Sequence, residues 1–276
     1  MNKVLSVLAM LAVARGGLVE AQSPSSWWPS VGSVILSGGA LDNQMANDLL
    51  DRMSALAGGP DANIVIIPSA DESLPTNLPT SGPQPPNIEE LRQLVVSRGL
   101  KHVQFLHTRD PSMANSKEFT EMIRSAQAVF ITGGRTALLQ TYRGTAVERE
   151  IRALLARGGV LVGDSAGAIA LSCCELTWLP RPFGNLADQL AALPRVAVSP
   201  HVNKARGFVV DSEVVKYAQA HPQTVGIDID ENTMLIMRGP MAEVVGTGYV
   251  TVIDVARDRT KPYLRMGPGT RRDLSK

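Results

Sequence analysis

Gly158-Gly159-Val160-Leu161-Val162-Gly163-Asp164-Ser165-Ala166-Gly167-Ala168 is the stretch on which the reading of this chain turns. Val160–Val162 is a short continuous apolar run introduced by glycines, the pattern of a strand buried on both faces. Gly163-x-Ser165-x-Gly167 follows it, and a helix opens at Ala166. This is the layout of a nucleophile elbow. The glycines permit a strained turn that lifts the serine Oγ clear of the backbone, and the amide of the next residue, Ala166, points where an oxyanion forms. The plainer alternative is a tight strand-to-helix turn with an incidental serine.

Outward from the elbow the same grammar repeats. Ser33–Leu36 ends in Ser37-Gly38-Gly39, and Asp42 then caps a helix through about Ala57. Asn63–Ile67 is stopped by Pro68. Pro68–Asn87 holds six prolines and predicts an irregular excursion, one that borders a pocket or is inert. Helical periodicity over Ile88–Arg98, a strand at Val103–Leu106, a helix near Ser116–Ala126 and a strand Ala128–Ile131 ending in Thr132-Gly133-Gly134 come next. Helical material runs from about Thr136 to Ala156. After the elbow helix a strand from Val196 and a helix Phe208–Ala220 precede Thr224–Ile229, Met234–Met237, Glu243–Val245 and Val250–Asp254. Short apolar strands alternating with helices define the α/β class: a three-layer α/β/α sandwich on a mostly parallel sheet, with the last runs pairing antiparallel at its C-terminal edge.

Composition agrees and excludes other classes. The chain has 276 residues, 44% of them hydrophobic, and only 4% are aromatic, so the core is aliphatic. Its 27 basic and 26 acidic residues leave a net charge of only +1, which removes the electrostatic footprint of a nucleic-acid binder. Met1-Asn2-Lys3, the apolar run Val4–Ala14 and Val19-Glu20-Ala21 have the layout of a signal peptide over 1–21, cut before Gln22. An uncleaved N-terminal anchor is the alternative. A linker over 22–31 follows, tacked down by Trp27-Trp28, and 32–276 reads as a single domain. The expectation is a secreted or periplasmic protein, with no membrane segment after cleavage. Cys173 and Cys174 are adjacent, which makes a mutual disulfide geometrically unfavourable, and they read as buried thiols. No metal-ligand spacing is present; neither metal nor other cofactor is expected.

A nucleophilic serine needs a base, and the chain offers four histidines. His102 begins a strand far from the elbow. His221 lies at a helix end, where a cation is favourable. His107 and His201 both follow strands. His201, fixed by Pro200, is the preferred base and His107 its rival. The orienting carboxylate is one of Asp228, Asp230 and Glu231, with Asp188 and Glu175 as outsiders; spacing does not choose among them.

Taken in order, Gly38-Gly39-Ala40, Ile131-Thr132-Gly133-Gly134, the elbow, Ser199-Pro200-His201 and Gly226-Ile227-Asp228-Ile229-Asp230-Glu231-Asn232-Thr233 resemble the cyanophycinase and dipeptidase E family of serine peptidases. The resemblance spans about Gly32 to Asp254. It implies a class I glutamine amidotransferase-like fold, Ser165 as nucleophile, His201 as base and Glu231 as acid. It further implies an oxyanion hole from the Gly134 and Ala166 amides, and a small peptide or isopeptide substrate such as a β-aspartyl-arginine unit. Asn232 matches a substrate-contacting position. The chain departs from the family at Arg135 and Thr136, where Asp-Gln is usual, at Ser199-Pro200, and in keeping only Arg206 of the arginines after the histidine. At the substrate-binding positions, Arg135 either pairs with a substrate carboxylate or makes a surface ion pair. A homodimer is compatible with the resemblance but not required. Two further readings are an esterase of the α/β-hydrolase type, with order Ser, acid, His met by Asp188 and His201, and a non-catalytic binding protein on the same scaffold.

Overall fold

The computed structural model describes residues 26–173, 190–202 and 213–276. The proposed signal segment, Cys174, Glu175, Asp188, Arg206 and the Phe208 end of the penultimate predicted helix lie outside the described residues.

Strands β1 (Ser33–Ser37), β2 (Asn63–Ile67), β3 (His102–Phe105), β4 (Ala128–Ile131) and β5 (Val160–Asp164) form the parallel part of an eight-stranded sheet. Its other strands are β8 (Thr233–Arg238), β9 (Met241–Gly246) and β12 (Arg271–Asp273), and the order is β12-β9-β8-β1-β5-β4-β2-β3. β8 and β9 make the predicted antiparallel edge beside β1, but the runs Thr224–Ile229 and Val250–Asp254, expected at that same edge, leave it for another sheet. The sequence does not anticipate a second sheet. There β6 (Val196–Ser199) pairs in parallel with β7 (Val225–Ile229), and β10 (Val250–Ile253) and β11 (Tyr263–Met266) add antiparallel to give β11-β10-β7-β6.

Alternation along each strand builds two cores. Ile35, Ile64, Ile66, Phe130 and Val162 face α1 (Asn43–Ala57) and α2 (Pro86–Ser97). Leu36, Val65, Ile67, Val129 and Leu161 face the other way. They meet α3 (Lys117–Ser125), α4 (Ala146–Ala156), α5 (Ala166–Leu171) and the small sheet, with Trp27 buried in the same cluster. Strands buried on both faces carry no polar alternation, which is why they read as unbroken apolar runs. Helix α6 (Glu213–Ala220) packs on the small sheet through Val215 and Ala218. Among the described residues no helix is long and apolar enough to cross a membrane.

Helix boundaries follow from local chemistry. Asp42 accepts the Met45 amide at 2.8 Å, and Gly58 ends α1 in the left-handed region at φ 107°. Ser116 and Thr145 cap α3 and α4 in the same way. The proline-rich excursion stays irregular until Pro85-Pro86, where proline suits a first helical turn, so α2 starts two residues earlier than its periodicity indicates. The helical material after Thr132-Gly133-Gly134 divides into a 3-10 helix, Thr136–Tyr142, and α4.

Candidate active site

Ligand sites in open α/β sheets lie at the carboxyl ends of the parallel strands. Here β5, β1 and β4 end side by side at Ser165, Gly38-Gly39 and Gly133-Gly134. Ser165 adopts φ 48°, ψ −110°, a strained conformation for a non-glycine residue. The elbow glycines are dictated by crowding: a Cβ on Gly167 would lie 2.0 Å from the Ile131 carbonyl oxygen, and one on Gly163 2.7 Å from the Ala168 backbone. With them, α5 crosses β4 and β5 in direct contact and presents the serine at the sheet edge.

Ser165 Oγ lies 2.8 Å from His201 Nε2, and His201 Nδ1 lies 2.8 Å from Glu231 Oε1. A carboxylate only accepts, so Nδ1 carries the proton and Nε2 is left to accept from the serine hydroxyl. The Ala166 amide, first in α5, is one of the helix's unsatisfied donors. Gly134 has φ 137° and its Cα is pressed on Ala70, whose carbonyl oxygen would be 2.3 Å from an added Cβ; the next amide, of Arg135, donates to that carbonyl at 2.8 Å. The loop carrying the Gly134 amide is thereby pinned beside the serine: a Cβ on Gly133 would be 3.2 Å from Ser165 Cβ.

The residues that organise this arrangement are Ser37, Gly38 and Gly39. Their three consecutive carbonyls accept the amides of Ser165 (3.1 Å), His201 (3.0 Å) and Asn232 (2.9 Å). Five non-glycine residues have positive φ among the described residues, and those three are among them, at 48°, 60° and 53°. Ser37 Oγ also donates to the Asp164 carboxylate at 2.7 Å, and burial pushes the Asp164 pKa up.

Other candidate residues have their partners elsewhere. His107 is not within reach of Ser165: it is buried, accepts from Ser69 Oγ (2.8 Å) and donates from Nε2 to the Pro75 carbonyl (2.7 Å). Tyr142 completes that network at 2.6 Å from Ser69 Oγ, so His107 ties the proline-rich excursion to the sheet. Arg135 pairs with Glu72 at 2.8 Å, and both side chains are exposed. Thr136 is buried at the start of the 3-10 helix. Asn232 spends both ends of its amide on Asp42: Oδ1 accepts the Asp42 amide (2.9 Å) and Nδ2 donates to the Asp42 carboxylate (2.8 Å). It is a clasp between the Glu231 loop and α1. Asp230 accepts the Tyr249 amide, and Asp228 is buried in β7; neither meets the His201 ring, whose Nδ1 belongs to Glu231. The order is therefore Ser, His, Glu, unlike the Ser, acid, His order of the esterase reading. Cys173 is half-exposed, not buried.

A doubly covered sheet with a serine elbow facing an imidazole and a carboxylate defines the class of serine-type hydrolases. The model of peptidase family S51 matches residues 33–245, and the chain belongs to that family of serine-type peptidases. It is 29% identical over 232 residues to a cyanophycinase of Geminocystis herdmanii, covering 80% of each chain. It is 28% identical over 233 residues to one of Trichormus variabilis, covering 80% of this chain and 73% of the relative. Among solved structures, a peptidase from an acI-B1 actinobacterium superposes with a TM-score of 0.63 at 23% identity, over 90% of this chain and 99% of the other. A putative peptidase E protein of Listeria monocytogenes superposes with a TM-score of 0.51 at 20% identity, over 79% and 100%. At those identities the likeness concerns the fold alone.

Proposed function

We propose that this chain hydrolyses a small peptide or isopeptide bond through an acyl-enzyme on Ser165. Ser165 Oγ attacks the carbonyl carbon and its proton passes to His201 Nε2. The oxyanion of the tetrahedral intermediate is met by the Gly134 and Ala166 amides. The imidazolium, stabilised by Glu231, gives that proton to the departing amine, and water attacking by the same route releases the acid. The observation that carries the reading is the unbroken contact from Ser165 Oγ through His201 to Glu231, 2.8 Å at each step. A β-aspartyl-arginine bond is the first isopeptide to test, because the relatives carry the name cyanophycinase. The layout of residues 1–21 supports action outside the cytoplasm, and mass spectrometry of the mature N-terminus would find Gln22.

Ser165→Ala tests the chemistry. Hydrolysis of the cleaved substrate should fall by at least about 10³-fold, since the nucleophile is the one group that the rest of the site cannot replace. Stoichiometric modification by a fluorophosphonate should disappear with it. A variant that keeps the full rate would refute the proposal.

A further inference from the structure

Among the described residues, the Thr132 and Arg135 amides donate to the carbonyls of Ile67 (3.2 Å) and Ala70 (2.8 Å), while the Gly133 and Gly134 amides between them have no acceptor. An open donor stabilises an oxyanion only as well as its peptide is held in place before the reaction. What holds the Gly134 peptide is Ala70. Its carbonyl takes the next amide, and it stands so close that a Cβ on Gly134 would be 2.3 Å from that oxygen and 3.1 Å from the Ala70 Cβ. Ala70 is itself fully buried but lies in the turn after β2, outside any strand or helix. No sheet ladder fixes it, so its own support must come from elsewhere in the chain.

Arg109, which follows β3, supplies that support. Its Nη1 donates to the Ser69 carbonyl at 3.0 Å and its Nη2 to the Asp71 carbonyl at 2.6 Å, the carbonyls on either side of Ala70. Its own amide donates to the Thr76 carbonyl at 2.8 Å, so the main chain behind the fork is tied as well. A planar guanidinium holds two acceptors at once, which the single point of an ammonium does not. The strand ends stand in the row β3, β2, β4, β5. Along that row Arg109 braces Ala70, Ala70 backs Gly134, and the Gly133-Gly134 turn abuts Ser165. We infer that Arg109 is a positioning residue for hydrolysis, acting through Ala70 to set where the Gly134 amide meets the oxyanion. The inference rests on Ser165 as nucleophile and Gly134 as oxyanion donor, and adds a determinant of rate to that same site. The oxyanion exists only in the tetrahedral state, so losing the brace slows the chemical step more than it weakens binding. His201 is held from Gly38, Ser165 and Glu231, away from this brace, so the base keeps its proton affinity.

The test is the rate at which an alkyl fluorophosphonate modifies Ser165 in the full chain, read by intact-mass spectrometry as a function of pH. All variants are compared below their melting transitions. Arg109→Ala should lower the plateau rate at least about 10-fold, a part of the roughly 10²–10³-fold that one oxyanion donor supplies. The midpoint of the pH profile, which reports the base, should stay where it is in the unaltered protein. Arg109→Lys keeps the charge but reaches one carbonyl at a time, so it should recover only part of the loss; it decides the matter alone if the alanine variant does not fold. A plateau equal to that of the unaltered protein in every folded variant, with only the melting temperature lowered, would make Arg109 merely structural and overturn the inference. A slower plateau with a shifted midpoint would put the damage at His201 and overturn it equally. Absence of any modification in the unaltered protein would instead remove the nucleophile, and the brace's role with it.

Discussion

Gly39→Ala isolates the geometry of the site from its chemistry, because it changes no functional group. A Cβ at position 39 would stand 2.4 Å from Cε1 and 2.6 Å from Nε2 of His201, and 3.0 Å from Ser165 Cβ. Carbon atoms settle at about 3.5–4.0 Å, so the ring must retreat by roughly 1 Å. If that retreat is away from the serine, the 2.8 Å contact to Ser165 Oγ opens beyond hydrogen-bonding distance. A misplacement of about 1 Å in a reacting pair costs on the order of 10²-fold in rate, or about 2.7 kcal/mol of barrier. The backbone adds a separate effect, since Gly39 has φ 82° and a left-handed alanine costs about 1–2 kcal/mol of stability.

The two effects separate against Gly58→Ala. Gly58 has φ 107° at the end of α1, and a Cβ there would meet nothing within 4 Å. Both variants should therefore lose similar stability in thermal melts, while only Gly39→Ala slows fluorophosphonate modification of Ser165. Equal modification rates for Gly39→Ala and the unaltered protein, or the same slowing in Gly58→Ala, would refute the argument that Gly39 sets the distance between the serine and the imidazole.

Glu231→Gln should leave the fold intact and lower hydrolysis by on the order of 10³–10⁴-fold, because an amide can hold the wrong imidazole tautomer and no longer stabilises the imidazolium; steady-state rates read this. Asp164→Asn should raise the melting temperature at pH 7. The Asp164 pKa is raised by burial, so holding its carboxylate costs stability above the ordinary carboxylate range, and the amide oxygen can still accept from Ser37. An unchanged or lower melting temperature counts against it. Burial also pushes the His107 pKa down, so the unfolded chain takes up that proton first as pH falls below about 6.5. The contribution of neutral His107 is complete above that pH and is lost on acidification toward its depressed folded value. Melting curves between pH 7.5 and 5 should fall less steeply in His107→Gln than in the unaltered protein.

What could be read in advance was local. The apolar runs at 63–67, 128–131 and 160–162 are strands because each is buried on both faces, and Asp42 caps α1 because its carboxylate sits three residues before an open amide. The elbow carries its own signature in five residues. The remainder depends on partners distant in sequence. Nothing near Asn232 in the sequence announces its clasp with Asp42, 190 residues away. Arg135 finds Glu72 across 63 residues, and Ser37 finds Asp164 across 127. The second sheet was hidden for a related reason: β7 and β8 are equally apolar runs separated by Asp230-Glu231-Asn232, and periodicity does not say that the chain changes sheet between them.

That change of sheet is what makes the site possible. Leaving β7 for β8, the chain must turn at the end of β1, and the turn places Glu231 beside His201, itself delivered from β6 of the small sheet. Ser165 comes from β5 of the large one. Three segments from two sheets therefore converge with backbones in a region that costs a non-glycine residue about 1–3 kcal/mol each. Their amides bond to the successive carbonyls of Ser37, Gly38 and Gly39, a single rigid strand end. Gly38 admits the Glu231 loop at a distance no side chain allows, since a Cβ there would be 2.0 Å from the Asp230 carbonyl oxygen. A displacement of β1 then carries serine, histidine and the glutamate loop together, so their mutual distances survive motions that would disperse three independent loops. The end of β1 contributes no group to the chemistry, yet it fixes where the chemistry happens.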